Sequence, residues 1–456
     1  MNGLVLRNVE VNGMLTDVSI GNGKVEAMTR GLERPLGSDK IEGDGGALLP
    51  GLHDHHLHLL ATAAADRSVQ LGPPAVRDRA EFADALSKSA AALSQGAWLR
   101  GVGYHESVAG ALNKFALDSI VAEQPIRIQH ASGAAWFLNS RALEMMGMTS
   151  PDGRIFRSDE QLRVLRSDSD PPSLAGVSQK LAACGVTGIT DATPSDDLSS
   201  IALLGTAVSD GSLRQHVTVM GSTVLVAAPA VEGVHWGPVK VLLSDHDLLF
   251  PEEIAALYEV AHEHGRNVAV HCVTAVALAL ALAAWLETGV RDGDRIEHGS
   301  VIVPEAAARI AELGLVVVTQ PGLVATRGDR YLSDVEAELL PYLYPCGSLL
   351  SRGIRVGGST DAPYGDLDPW RAMSAAVERR TDGGEVLNFE ERISPEQALG
   401  LFLTAPTDPG GRPREIQVGQ EADLCLLSVP LARAMEHPSK DHVAATIVSG
   451  QVVYRR

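Results

Sequence analysis

Along the chain, short β-like runs at both ends flank a long middle in which apolar runs take turns with amphipathic stretches. Residues 1–46 carry Leu4-Val5-Leu6, then Val9-Glu10-Val11-Asn12-Gly13, then Val18-Ser19-Ile20-Gly21-Asn22-Gly23. Period-two alternation broken by Asn-Gly predicts strands joined by hairpins. Residues 423–427 and 444–454 repeat the pattern. The economical expectation is one small β-sandwich domain built from both termini, residues 1–46 with 405–456. Two unrelated edge sheets are the alternative.

In the middle, residues 47–404, candidate strands fall at 47–52, 186–191, 216–220, 239–243, 268–271, 295–298, 316–320 and 354–358. Amphipathic stretches between them include 251–264, 304–313, 334–351 and 369–380. Alternating strands and helices predict an α/β fold with a parallel sheet. Eight strands fit a (β/α)8 TIM barrel. An open doubly wound sheet would want Gly-x-Gly-x-x-Gly after the first strand, and none is there. Residues 60–170 break the alternation with helical, loop-rich sequence. They are expected to be an insertion after the first barrel strand, a lid near the active face.

Composition narrows the function. A net charge of −19 over 456 residues argues against nucleic acid or an anionic membrane as partner, since both need a basic face. A small-molecule substrate is the remaining expectation. The oligomeric state is left open, a homodimer among the options. Cys184, Cys272, Cys346 and Cys425 are widely spaced and form no Cys-x-x-Cys pair, so reduced thiols in a cytoplasmic protein are expected. The N-terminal residues show no basic and apolar signal segment. The apolar run 276–286 is shorter than the ~20 residues a bilayer needs.

The chemistry gathers at predicted strand ends. The first strand runs into His53-Asp54-His55-His56-Leu57-His58. Residues i and i+2 share a strand face, so His56 and His58 can aim at one point. Lys240 lies on the fourth strand, His271 ends the fifth, His298 the sixth, and Asp361 follows the eighth. Barrel enzymes work at the C-terminal ends of their strands. Each residue alone has an ordinary structural reading; their coincidence at equivalent ends does not. Imidazole and carboxylate suit a divalent metal such as zinc. Two ions ~3.5–4 Å apart can share a hydroxide. A neutral lysine can capture carbon dioxide as a bridging carbamate, and an aspartate can carry a proton to a leaving nitrogen.

These stretches resemble the amidohydrolase superfamily. The pattern Pro-Gly-x-x-Asp-x-His-x-His is Pro50 to His58, and Thr360-Asp361-Ala362-Pro363 matches the last strand. Within it the chain is similar to the amidohydrolase-3 (YtcJ-like) branch, through 132–143, 185–191, Arg295-Ile296-Glu297-His298 and Gln320-Pro321. The resemblance implies two metal ions, zinc first among the options, with His56 and His58 on one and His271 and His298 on the other. Carboxylated Lys240 would bridge them, and Asp361 would ligate the first and shuttle protons. A single ion held by His56, His58, His271 and Asp361 is the alternative. Glu297 is read as a partner of Arg295 or a support for a ligand. Three departures border the substrate side: Ala134 where the branch has histidine, Cys272-Val273-Thr274-Ala275 after the fifth strand, and a shortened segment at Ser244-Asp245-His246.

The expected function is metal-dependent hydrolysis of an amide, formamide or N-acyl bond by a metal-activated hydroxide. Hydrolysis of a cyclic amide or ester, or deamination, would use the same centre. A non-catalytic metal-bound scaffold would lack a ligand, and none is missing. Candidates for substrate contact are Tyr104, His105, His130, Asn139, Arg141, Gln320 and Tyr364, each with a structural role as its alternative.

Overall fold

A computed structural model describes residues 3–32, 37–73, 75–133, 135–156, 172–194, 197–243 and 249–456. The chain forms two compact units, Met1–Leu59 with Leu174–Arg456, and Leu60–Ser173.

The first unit opens with β1 (Leu4–Val11), β2 (Met14–Gly21), β3 (Lys24–Thr29) and β4 (Asp39–Glu42), in the order β3-β2-β1-β4. Asn12-Gly13 and Asn22-Gly23 turn the two hairpins. All four residues have positive φ, the requirement of a two-residue type I′ turn. Next come β5 (Leu48–Pro50) and β6 (Leu52–Leu57). Sequence alternation suggested one strand over 47–52; the structure divides it at Gly51 and sends the halves to different sheets. A Cβ on Gly51 would lie 2.1 Å from Thr187 Cγ2, so only glycine lets the chain pass there.

The second unit contains β7 (Val69–Gln70), β8 (Leu99–Tyr104), β9 (Ile126–His130), β10 (Ala135–Leu138) and β11 (Arg154–Phe156), ordered β11-β10-β9-β8-β7. This five-stranded sheet corrects the helical, loop-rich expectation for the region. Its strands are short and Gly101 and Gly103 interrupt β8, which hid the alternation. Phe82, Leu86, Tyr104, Leu117, Ile126 and Phe137 belong to its core. Ala134 and 244–246, two of the branch departures, lie outside the described residues.

Back in the first unit follow β12 (Val186–Asp191), β13 (His216–Val219), β14 (Val234–Trp236), β15 (Val239–Leu242), β16 (Val268–Cys272), β17 (Arg295–His298), β18 (Val316–Thr319) and β19 (Val356–Gly358). They form two sheets, β14-β13-β12-β6 and β15-β16-β17-β18-β19, parallel throughout. Backbone hydrogen bonds stitch the sheets at both edges. Lys240 N donates to Gly221 O at 2.7 Å on one side, and Asp361 N to His56 O at 2.9 Å on the other. The fourth expected strand, 239–243, is β15; β14 was not expected and is parted from it at Gly237-Pro238, where Pro238 has no N–H for a ladder. The expected helix over 334–351 is also interrupted: helices span Gly322–Asp334 and Cys346–Ser351, with a single turn at Leu340–Tyr342. Pro341 and Pro345 break it. Every residue of β6, β12, β17 and β18 is buried, as parallel strands covered on both faces require.

The chain ends in β20 (Leu424–Leu427), β21 (Val443–Val448) and β22 (Gln451–Arg455), which with β5 make an antiparallel sheet ordered β22-β21-β20-β5. Leu48, Leu424, Leu426 and Ile447 from this sheet share one apolar cluster with Leu4, Leu6, Val18 and Ile20 of the first. Among the described residues no helix is long and apolar enough to cross a membrane.

Asp294, just before β17, is a knot in the first unit. Its buried carboxylate accepts from Val268 N and Arg291 N at 2.9 Å, from Trp285 Nε1 at 3.1 Å and from His262 Nε2 at 3.0 Å. It thereby ties two helices to the N-terminal edge of the parallel sheet, the edge concerned with stability. Asp294→Ala orphans these donors, at ~1–3 kcal/mol for each one left buried. The variant is expected to lose ~3 kcal/mol or more in urea unfolding.

Candidate metal centre

The site lies where β6, β15, β16, β17 and the segment after β19 reach their C-terminal ends. Asp54 and His56 share one face of β6, and His58 follows just past its end. Asp54 is fully buried and accepts from His56 N at 3.1 Å, Thr360 N at 3.1 Å and Thr360 Oγ1 at 2.5 Å. This clamp draws the segment after β19 against β6 and sets Asp361 opposite the two imidazoles. Burial is the leading cause that pushes Asp54 up to about 7, against its hydrogen bonds to Thr360 and His56.

Asp361 Oδ1 lies 3.3 Å from His58 Nε2 and 3.7 Å from His56 Nε2. One ligand atom from each of these three residues falls within 4.8 Å of the others. His298 completes the ring of contacts. Its Nδ1 is 3.9 Å from Asp361 Oδ2, and its ring centroid lies 4.7 Å from that of His56 and 4.4 Å from that of His271. Lys240 stands on β15 opposite Ala269, two residues before His271 along β16. Strand alternation alone would turn His298 away from Glu297. The chain leaves the strand there with φ 69° at His298 and 53° at Gly299, and Asp361 has φ 55°. Left-handed backbone at non-glycine residues is uncommon and concentrates at functional sites.

Three of the four imidazoles are held by Nδ1. His56 Nδ1 bonds Glu297 Oε2, His58 Nδ1 pairs with Thr193 Oγ1 at 3.1 Å, and His298 Nδ1 donates to Gln320 Oε1 at 2.9 Å. That makes Nε2 the nitrogen that His56 and His298 would offer a metal. Burial drives His56 and His298 well below the ordinary imidazole range, with neighbouring Lys240, His58 and His271 adding to it. That direction favours the neutral form, the one a metal accepts. Burial likewise pushes Lys240 down to about 8, against the pull of Glu297 and Asp361.

Three buried polar atoms here have no hydrogen-bond partner among the described residues: His56 Nε2, Lys240 Nζ and Asp361 Oδ1. Buried polar groups are nearly always paired. An imidazole nitrogen and a carboxylate oxygen left open at one point fit a divalent cation of the zinc class. The residues present therefore fit a metal.

The remaining expected residues separate. Gln320 is buried and holds His298 while donating to Ser359 Oγ at 2.9 Å. The Tyr364 ring meets His58 edge-on, centroids 5.5 Å apart. In the second unit, Tyr104 is buried with its hydroxyl on Gly110 O. Asn139 caps the helix Ser140–Met145, accepting from Ala142 N and Ile126 N and donating to Val121 O and Gln124 O. Arg141 pairs with Glu144 on the surface. These three have structural partners, the alternative that the sequence reading carried for each. His130 bonds Glu106, and its ring lies 5.8 Å from that of His105. Asp54 and Thr360 were missed, although Asp54 stands in the very pattern that located His56.

Residues 41–454 match the model of the amidohydrolase family. The chain is 24% identical to an N-substituted formamide deformylase of Arthrobacter pascens, over 94% of this chain and 92% of that one. It is 23% identical to YtcJ of Bacillus subtilis (strain 168), over 96% and 94%. A solved metal-dependent hydrolase from Pyrococcus furiosus superposes with a TM-score of 0.72 at 20% identity, covering 93% of this chain and 99% of that one. That last likeness is one of fold, a TIM-barrel-based α/β architecture. The family match spans nearly the whole chain, so the chain belongs to the amidohydrolase family and is a hydrolase acting on carbon–nitrogen bonds.

Proposed function

We propose that the chain is a zinc-dependent hydrolase of linear carbon–nitrogen bonds, in an amide, formamide or N-acyl amine. In this reading the two parallel sheets and their stitched edges are one (β/α)8 barrel, the sheets built from the two chain ends a β-sandwich, and residues 60–170 an insertion. His56, His58 and Asp361 would hold one ion and His271 and His298 a second, with Lys240, as its carbamate, supplying a further carboxylate ligand. The observation that carries the reading is the orphaned set of His56 Nε2, Lys240 Nζ and Asp361 Oδ1 among converging strand ends. The name of the deformylase relative supports a formyl or other small acyl group.

Bound zinc supplies two things: it lowers the pKa of a water toward ~7, and it polarises a carbonyl oxygen. The chain's residues do the rest. Asp361 takes the proton of the attacking water at a carboxylate oxygen and returns it to the departing nitrogen. Gln320, Glu297 and Thr193 keep three imidazoles in one orientation, so none reorganises during turnover.

Dialysis against a chelator is expected to abolish hydrolysis, and about two equivalents of zinc per chain to restore it. Metal content by mass spectrometry and a panel of formamides, N-acyl amino acids, lactones, cyclic imides and aminopyrimidines check the reading. Turnover confined to the ring substrates would replace it with cyclic-amide or ester hydrolysis, or deamination. A metal-replete protein holding no zinc would remove it.

A further inference from the structure

Arg295 and Glu297 sit at i and i+2 on β17, so both point the same way. Arg295 Nε donates to Glu297 Oε1 at 2.5 Å, and Glu297 Oε2 accepts from His56 Nδ1. All three side chains are essentially without solvent. Arg295 Nη2 reaches His55 O at 3.3 Å and Met220 Sδ at 4.0 Å, and so is fixed from the far side as well.

We propose that Arg295 and Glu297 are a positioning pair that sets the tautomer and donor strength of His56, so that metal affinity is governed by a guanidinium with no lone pair to offer the ion. The proposal rests on the reading of His56 as a ligand.

A carboxylate at Nδ1 can only accept, so it forces the proton onto that nitrogen and leaves the Nε2 lone pair for a metal. It also makes the imidazole a stronger donor, as carboxylates behind metal-bound histidines do. His58 and His298 have neutral partners, a hydroxyl and an amide. Of the three Nδ1 hydrogen bonds, the one from His56 goes to a carboxylate. A buried carboxylate needs a counter-charge, and Arg295 supplies it with a planar fork suited to that geometry. Arg295 thus acts on the His56 ring through Glu297, and its bond to His55 O holds the backbone beside it.

That serial arrangement gives a test. Zinc dissociation constants of Glu297→Gln, Arg295→Met and the double variant are measured by competition with a chromophoric chelator. Urea unfolding of each metal-free protein runs alongside, with the 15N shifts of His56 reporting its tautomer. Each single variant is expected to bind zinc ~10–100-fold more weakly. The double variant should bind no more weakly than Glu297→Gln, since without the carboxylate the guanidinium has nothing to act through. In wild type the proton stays on Nδ1; in Glu297→Gln the tautomers mix. Affinity within twofold of wild type in Glu297→Gln overturns the proposal, as does a double variant whose loss is the product of the singles. If Glu297→Gln does not fold, Arg295→Lys keeps the charge without the fork and should give an intermediate loss; unchanged affinity there overturns the proposal too. Because zinc binding is read without substrate, inactivity on every carbon–nitrogen substrate would sink the proposed function and leave this result standing.

Discussion

Asp361→Asn is expected to keep the fold and the metal yet lower kcat by ~10²–10⁴-fold, the usual share of a general acid–base group. Asp361 has φ 55°, a conformation that asparagine tolerates as well as aspartate. Its main-chain bonds, N to His56 O and O from Tyr364 N and Gly365 N, do not involve the side chain. The amide keeps one oxygen facing His58 Nε2, now 3.3 Å from Oδ1. What disappears is a group able to take a proton and give it back. Steady-state kinetics on whichever substrate the panel identifies, with zinc content on the same sample, separate the two roles. Activity within tenfold of wild type at full metal occupancy would move the proton transfer to another residue. Loss of metal in parallel with activity would make Asp361 chiefly a ligand.

The parallel strands were legible because both their faces are buried. Runs such as Val268–Cys272 and Val316–Thr319 are apolar almost without interruption, and an ionisable group at the end of one stands out against that background. The four imidazoles on β6 and just past it could be sorted by alternation alone. His56 and His58 lie beside Asp361. His53 and His55 bond Thr190 Oγ1 at 3.0 Å and Thr404 Oγ1 at 2.8 Å. Long-range partners were not legible. The acceptance by Asp54 of Thr360, 306 residues away, follows from sheet closure and has no local signature. Gln320 was noticed as polar at a strand end, but nothing in its neighbours tells a ligand support from a substrate contact. The second unit's sheet was missed for another reason. Its strands are short and one pairs over only two residues, too little for period-two alternation to emerge.

Lys240 offers a prediction in which stability and activity move in opposite directions. Its Nζ is buried without a partner among the described residues. A bare ammonium or amine in that position costs free energy, so metal-free Lys240→Met should be at least as stable as the metal-free parent. Its activity should be lower by ~10²-fold or more, with zinc falling from about two to about one per chain, because the link between the ions is gone. The chemistry behind this is a balanced addition. The neutral amine attacks carbon dioxide, a nitrogen–carbon bond forms, one proton leaves, and a carboxylate now ends the side chain. Burial has already brought Lys240 down to about 8, so the neutral amine is more plentiful than on an ordinary surface lysine. As pH rises through that value the neutral fraction grows. Reconstitution of metal-free enzyme with zinc should therefore be faster with added bicarbonate, and the gain should be larger at pH 8.5 than at pH 6.5. Lys240→Ala opens space for a small acid, and acetate or propionate should restore part of its turnover, whereas Lys240→Met fills that space and should not respond. A Lys240→Ala protein with two zinc ions and full turnover would show that the amine plays no part at the centre, and the orphaned nitrogen would then need a different explanation.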